Sequence, residues 1–251
     1  MSEREAVILG ALLHDIGKFW ERAKKENENL NPEFYQAGKI DHYHAFWSAQ
    51  FIRDNEHLFS DPETIIDLVL YHSNPFKKKV KEKIEVKFIA LADWLSSMER
   101  RLEDEYIERT GEDLPERWET PLVSIFNEID IGKGKVPRIL AYDLEALHCK
   151  KEVIFPHKEY PLENLSKDSY TQLRDRLKNE LKELKGQDDI TTLYYLLEKY
   201  LWAVPSATPH EKEKRLPDIS LFDHLKTTSA VALCLSECYQ LYDEKLLQTL
   251  R

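Results

Sequence analysis

The chain has 251 residues, 42% hydrophobic and 11% aromatic, which is enough apolar material for one large domain or two small ones and excludes a disordered protein. The net charge of -10 argues against a free-standing, high-affinity nucleic-acid binder, although a nuclease needs only a local basic path. No run of about 18 apolar residues exists, and charges interrupt the apolar N-terminal stretch, so we expect neither a membrane span nor a signal peptide.

The first part of the chain predicts amphipathic helices. Apolar residues recur at helical spacing in four segments, and Asp61 followed by Pro62 is typical of a helix N-terminus. Asn74-Pro75 should end that third helix. We expect helices at 3–25, from Tyr43 onwards, from Pro62 to before Asn74, and at 84–101.

The middle of the chain differs from both ends in composition and in hydrophobic periodicity. Residues 102–120 are strongly charged, and 139–142 and 153–155 are plausible short strands. Helical periodicity returns in 166–202 and again after Asp218. We therefore predict a mostly α-helical bundle with a small β-containing insertion. Its parts are the first core segment (1–104), a charged loop with the insertion (105–165), and C-terminal helices that complete the core (166–251).

Three cysteines, Cys149, Cys234 and Cys238, lack the spacing of a zinc ribbon. Cys234 and Cys238 are one helical turn apart, and we expect them to be small core residues of a protein in the reducing cytoplasm.

Six ionisable residues lie on or beside the predicted apolar faces. Buried Asp and His side chains need partners, because an unpaired buried charge is costly. One shared metal site is the simplest way to satisfy all of them. Imidazole and carboxylate ligands suit Mn, Ni, Co, Fe or Zn, and such ions promote phosphoester hydrolysis. The candidate ligands of one or two ions are His14, Asp15, His44, His72, Asp93 and His224.

Each of these residues also has a structural explanation. A single His on an apolar face is usually a core residue bonded to a carbonyl group. Asp93 could pair with an Arg, and Asp15 with Lys18 three residues on. Six independent explanations would then be needed, which favours the shared site.

Lysines offer candidate phosphate contacts. Lys18 lies one turn after Asp15. It has two interpretations, a contact to a phosphate of the substrate or a surface lysine. The run after His72, of which Lys77, Lys78 and Lys79 are the candidate nucleic-acid-binding residues, is either a DNA path or a solvated loop.

Local motifs around these residues resemble the HD phosphohydrolase superfamily. GALLHDIGKF is similar to its HD motif, and YHSNP and ALADWLSS are similar to its later His and Asp motifs. Ordinary members carry a His on a helix before the HD pair, but His14 is the first His of this chain. His224 is the only well-placed candidate, so the resemblance implies a circularly permuted HD fold.

The permutation, together with PLVSIFNEI, WAVPSAT and DISLFDHLKTTSAVA, resembles the large, polymerase-like subunit of type III-A CRISPR effector complexes, the Csm complex. Nearly the whole chain resembles the HD nuclease domain of that family. The resemblance implies a metal-dependent nuclease for single-stranded DNA that assembles with other subunits and a CRISPR RNA. His14, Asp15, His72, Asp93 and His224 match motif positions, and His44 lies in the matching segment HAFWSAQF.

Catalytic roles can be expected for three of these residues, and the chain departs from the family pattern at two points. His14, Asp15 and Lys18 are the expected catalytic residues, with Asp15 bridging two metals. Met98 stands where the family usually has Gly. The family's Gly-Gly-Asp-Asp motif is absent, since the chain has no Gly-Gly pair. We therefore expect the chain to represent the HD part alone, without cyclic oligoadenylate synthesis.

Two other functions are compatible with the sequence. An HD phosphohydrolase for small nucleotides would need base- and sugar-reading groups, which no motif marks. A catalytically silent scaffold module should have lost part of the ligand set, which is intact.

Overall fold

The computed structural model describes residues 1–25, 28–35, 43–97, 118–129, 132, 139–159, 162, 165–207 and 216–249, of which Glu128 and 243–249 are described by their backbone alone. Within these residues the fold is mostly helical, as predicted. The elements are α1 (Glu3–Leu13), α2 (Gly17–Ala23), α3 (Pro32–Tyr35), α4 (Tyr43–Asp54), α5 (Pro62–Tyr71), α6 (Ile84–Ser96), β1 (Leu140–Ala141), α7 (Lys151–Ile154), β2 (Lys158–Glu159), α8 (Lys167–Glu183), α9 (Ile190–Leu201) and α10 (Leu221–Thr249).

Helix α1 occupies the centre of the bundle. It packs against α5, α6 and α10, while α4 packs against α2 and α5, and α2 packs against α8. Gly10 allows the close packing of α1, because a Cβ there would lie 2.8 Å from Cδ1 of Leu68 and 2.9 Å from Cδ1 of Ile89. The C-terminal helix thus completes a core that begins at the N-terminus.

The predicted first helix is wrong in one respect, because it breaks between α1 and α2. Residues 14–16 form a tight turn, in which the Lys18 amide donates to the Asp15 carbonyl. The break lets Gly17 approach α4 closely. A Cβ at Gly17 would lie only 1.9 Å from the carbonyl oxygen of His44. The Gly17 amide also donates to Oγ of Ser48 at 2.9 Å.

Most other predicted elements are confirmed. Helix α4 begins at Tyr43, and the Asp61 side chain accepts from the Thr64 amide at the start of α5. The fourth predicted helix corresponds to α6, which reaches Ser96. Its predicted end at residue 101 lies outside the described residues. The domain boundaries remain a prediction, since residues 104 and 105 also lie outside them.

The predicted strand at 153–155 is wrong. Val153 belongs to α7, where the Val153 and Ile154 amides both donate to the Lys150 carbonyl. The partner of β1 is instead β2, which pairs antiparallel with Leu140 opposite Glu159. An apolar run of three residues does not distinguish a strand from a helical turn.

Two predictions of burial are also wrong. Cys234 and Cys238 are exposed, because they lie on a side of α10 that faces away from the core. Trp94 of α6 is also a large apolar side chain that the fold leaves exposed, at 57%. Among the described helices none combines the length and hydropathy needed to cross a membrane.

Candidate metal centre

The six predicted ligands come from different parts of the bundle and meet in one place. His14 follows the last residue of α1, and Asp15 lies in the turn before α2. His44 is in the first turn of α4, and His72 directly follows α5. Asp93 is in the last turn of α6, and His224 is in the first turn of α10. Helix ends therefore supply most of the side chains.

Asp15 is at the centre of the group. Its Oδ1 lies 2.9 Å from Nε2 of His44 and 3.8 Å from Nε2 of His72. Its Oδ2 lies 3.5 Å from Nε2 of His14 and 3.3 Å from Nε2 of His224. The two oxygens thus face different histidines.

Asp93 completes one side of this arrangement. Its Oδ1 lies 3.2 Å from Nε2 of His224 and 3.6 Å from Nε2 of His14. Two sets of candidate ligand atoms result, each with all its atoms within 4.8 Å of one another. The first set is His14, Asp15, Asp93 and His224, and the second is Asp15, His44 and His72. Asp15 belongs to both sets, as a bridging carboxylate would.

Backbone carbonyl groups fix the orientation of two rings. Nδ1 of His14 lies 2.7 Å from the Ala11 carbonyl oxygen, and Nδ1 of His72 lies 2.7 Å from that of Val69. A carbonyl oxygen only accepts, so Nδ1 must carry the proton in both rings. In the neutral ring Nε2 then presents a lone pair toward Asp15, which is the form that binds a metal.

His224 is held by hydroxyl groups instead. Its Nδ1 lies 3.4 Å from Oγ of Ser96, which is 2.7 Å from Oγ1 of Thr228 and donates to the Asp93 carbonyl at 3.1 Å. Oγ of Ser97 also donates to Oδ1 of Asp93 at 3.4 Å. These supporting residues were not predicted from the sequence. Thr228, one turn after His224 on the same apolar stripe, was the available signal.

The two carboxylates of the group, Asp15 and Asp93, need positive charge nearby to offset their own. Burial works against the charge of Asp15, but Lys18, His14 and His44 outweigh it and hold its pKa well below the usual range. Burial also opposes protonation of His14, yet the carboxylates of Asp15 and Asp93 raise its pKa. A proton on His14 and a divalent cation are thus alternative ways to offset two buried carboxylates.

His72 behaves in the opposite way. Burial, reinforced by the neighbouring His14, lowers its pKa to about 3, so the ring is neutral at pH 7. Its bare Nε2 therefore faces a carboxylate oxygen of Asp15 that also carries lone pairs. The buried Nε2 atoms of His14 and His224 have no hydrogen-bond partner within the described part of the chain. A cation among these atoms would relieve all three unfavourable contacts, so the residues fit a divalent metal ion.

The group is partly open to solvent. His14, Asp15, His72 and His224 are at most 2% exposed. The side chains of Asp93, His44 and Lys18 are 24%, 16% and 23% exposed. A substrate would therefore reach the buried atoms past Asp93, His44 and Lys18.

The predicted lysines differ in their surroundings. Lys18 forms an ion pair with Oδ2 of Asp15. Lys79 pairs with Oδ1 of Asp67 at 2.7 Å and lies over the Tyr71 ring. Lys77 is half-buried, whereas Lys78 is exposed. The structure thus uses Lys79 to hold the loop after α5, and leaves Lys78 pointing into solvent.

Comparison with known proteins agrees with this geometry. The protein-family profile described as HD domain matches residues 1–98. A protein of Methanocaldococcus jannaschii named CRISPR system single-strand-specific deoxyribonuclease Cas10/Csm1 (subtype III-A) is 34% identical, covering 96% of this chain and 28% of its own length. A relative of the same name from Streptococcus thermophilus is 29% identical over 93% of this chain and 28% of its own.

Solved structures are also similar to this chain. The crystal structure of Csm1 from T. onnurineus superposes with a TM-score of 0.59 at 28% identity, covering 93% of this chain and 28% of the other. A Csm1–Csm4 cassette in complex with cA4 gives a TM-score of 0.58 at 27% identity, with the same two coverages. The chain thus spans little more than a quarter of the length of the relatives it matches.

Proposed function

We propose that this chain is a divalent-metal-dependent nuclease for single-stranded DNA. The chain belongs to the HD-domain family, and it is related over nearly its whole length to the Cas10/Csm1 proteins of type III-A CRISPR systems. The observation that carries the proposal is the position of Asp15, whose two oxygens face two separate sets of histidines. The relatives named single-strand-specific deoxyribonucleases support the choice of substrate.

The two sets of residues would hold two ions that share Asp15. His14, Asp15, Asp93 and His224 would bind one, and Asp15, His44 and His72 the other. Four histidines favour Mn, Ni, Co, Fe or Zn over the harder Mg and Ca. When bound, such ions supply an activated water at neutral pH and offset the charge of the phosphodiester.

The side chains of the chain itself orient and shield the reaction. The carbonyl groups of Ala11 and Val69 hold the rings of His14 and His72 with Nε2 directed inward. Because both rings are buried, bulk water does not reach them. Lys18, which is partly exposed beside Asp15, would contact a phosphate oxygen of the substrate with its ammonium group.

A single strand suits this site better than a duplex. The reacting group must reach atoms that are almost fully buried, and a flexible strand can bring one phosphate past Asp93 and His44. Exposed Lys78, in the loop after His72, would contact the phosphates outside the centre.

We also propose that the chain works in the cytoplasm within a larger assembly of CRISPR effector subunits and CRISPR RNA. Two of the similar solved structures contain Csm1 together with Csm4, which supports a protein partner of this kind. The acidic net charge of -10 makes weak DNA binding by the isolated chain an expected consequence.

The test is reconstitution of the purified chain. After treatment with a chelator, it is loaded with Mn, Ni, Co, Zn or Mg, and the metal content is measured beside cleavage of single- and double-stranded oligonucleotides. We expect about two ions per chain with the transition metals and cleavage restricted to the single strand. Hydrolysis of nucleoside phosphates without any cleavage of DNA would contradict the proposal.

A further inference from the structure

Phe76 and Trp94 are large apolar side chains that the fold leaves 73% and 57% exposed beside the candidate metal centre. Phe76 lies four residues after His72, so its Cα is no more than about 14 Å from that of His72. Trp94 directly follows Asp93. One aromatic residue therefore accompanies each of the two sets of candidate ligands.

The loop that carries Phe76 is held firmly in place. Pro75 and Val80 are buried on either side of it, and the Lys77 amide donates to the Asn74 carbonyl. The side chains of Lys79 and Lys83 both pair with Asp67 on α5. Phe76 is thus presented to solvent by an ordered loop whose neighbouring apolar residues are buried.

Trp94 has a comparable position on α6. The same helix buries Val86, Ile89 and Ala92 completely or nearly so, and leaves Trp94 on its outer side. The adjacent Asp93 is the most exposed carboxylate of the centre. Trp94 is therefore the direct neighbour of the candidate ligand that is most open to solvent.

The charge around Phe76 selects the class of ligand. Lys77 and Lys78 follow it directly, and the latter is exposed. An exposed aromatic ring beside lysines, next to a site for a phosphodiester, is the combination that binds single-stranded nucleic acid, because the ring stacks on a base and the lysines attract the backbone.

Resting on the proposed nuclease function, we infer that Phe76 and Trp94 are stacking platforms for bases of the single-stranded DNA substrate, one on each side of the phosphodiester in the metal centre. They hold the strand so that the scissile phosphate stays at Asp15. Stacking does not read the identity of a base, so the two platforms favour unpaired over paired strands without imposing a sequence.

The experiment measures binding and cleavage separately. Binding of a fluorescein-labelled oligothymidylate to the metal-free chain is followed by anisotropy, beside the same strand with abasic sites. Phe76→Ala and Trp94→Ala should each weaken binding of the normal strand by about 5- to 150-fold, the range expected for one stacked base. Binding of the abasic strand should not change, because it offers no base to stack.

A matched pair of substitutions separates stacking from general hydrophobicity. Phe76→Tyr keeps an aromatic face and should bind as the unaltered chain, whereas Phe76→Leu stays apolar and should lose affinity as Phe76→Ala does. Phe155→Ala serves as a control, since Phe155 is also 57% exposed but lies in a segment without any of the six clustered residues. It should bind both strands normally.

Cleavage in the presence of Mn distinguishes the two proposals. Stacking predicts lower kcat/KM on the normal strand for the Ala variants and unchanged cleavage of the abasic strand, whose phosphodiesters carry no base to stack. Equal binding of normal and abasic strands by the unaltered chain, or normal binding by both Ala variants, would overturn the stacking role and assign these side chains to a protein contact. Base-dependent binding without any metal-dependent cleavage would instead contradict the nuclease function alone.

Discussion

Nε2 of His224 lies 3.3 Å from Oδ2 of Asp15, although the two residues stand near opposite ends of the chain. Helix α10 packs directly against α1 and α6, and this packing brings His224 to the HD pair and to Asp93. The permuted arrangement expected from the motifs requires this contact.

Asp15→Asn should abolish cleavage and prevent the binding of both ions. The amide keeps the shape of the side chain but lacks the charge that both ions share. Loss of an outer-shell group costs about 10- to 100-fold in metal affinity or activity, so loss of the bridging ligand should cost more. The checks are metal content and kcat, with Asp175→Asn as control, since the Asp175 side chain is 45% exposed. Full activity in Asp15→Asn would refute the catalytic assignment.

Gly17→Ala should destabilise the protein and remove metal binding. The added Cβ would meet the His44 carbonyl oxygen at 1.9 Å, and backbone atoms cannot move aside as a flexible side chain can. Overpacking usually costs about 1–3 kcal/mol, and we expect the upper part of that range or more.

Gly186→Ala is the matched control for Gly17→Ala. A Cβ at Gly186 would have its nearest neighbour at 3.7 Å, which is an ordinary contact. Urea unfolding should separate the two variants clearly. Equal stability of both would mean that α2 and α4 can move apart without cost.

Metal binding should raise the free energy of unfolding. An ion that binds only the folded chain contributes about 2.7 kcal/mol at 100 times its Kd, which corresponds to several degrees in Tm. The increase should shrink as pH falls through the raised pKa of His14, because that ring must lose its proton to bind a metal, whereas His72 is already neutral. Thermal scans with and without Mn at pH 8 and pH 5.5 provide the measurement, and a pH-independent increase would contradict histidine ligation.

Ser96→Ala should weaken metal binding without touching a ligand. Oγ of Ser96 lies between Nδ1 of His224 and Thr228, so its loss frees the ring to rotate. Outer-shell changes of this kind cost about 10- to 100-fold in affinity. The control is Ser229→Ala, which removes only a bond to the Ile8 carbonyl. Isothermal titration with Mn should show the difference, and equal affinities would mean that packing alone orients His224.

Lys78→Ala should lower the salt dependence of DNA binding, whereas Lys79→Ala should not. Lys78 is exposed, while Lys79 is occupied by Asp67. Removal of one phosphate contact to a single strand changes the slope of log K against log salt by about 0.7. Anisotropy titrations at several salt concentrations give the slope. An unchanged slope in Lys78→Ala would mean that Lys78 is a solvated residue that does not contact the DNA.

The sequence by itself determined which residues belong to the candidate centre and that the fold is helical. An Asp or His at a position where helical spacing calls for an apolar side chain is visible without a structure, since burial of such a group needs a partner. The capping of α5 by Asp61 was equally visible, because it depends on neighbours in the chain.

Only the tertiary structure decided how these residues meet. The break after α1 depends on the close approach of Gly17 to the backbone of α4, and the support of His224 depends on Ser96 of α6. The exposure of Trp94 and of the two cysteines of α10 also depends on which side of each helix finds a neighbour. Periodicity gives the apolar stripe of one helix, but the packing of the others sets where that stripe ends, because burial is a property of pairs of surfaces.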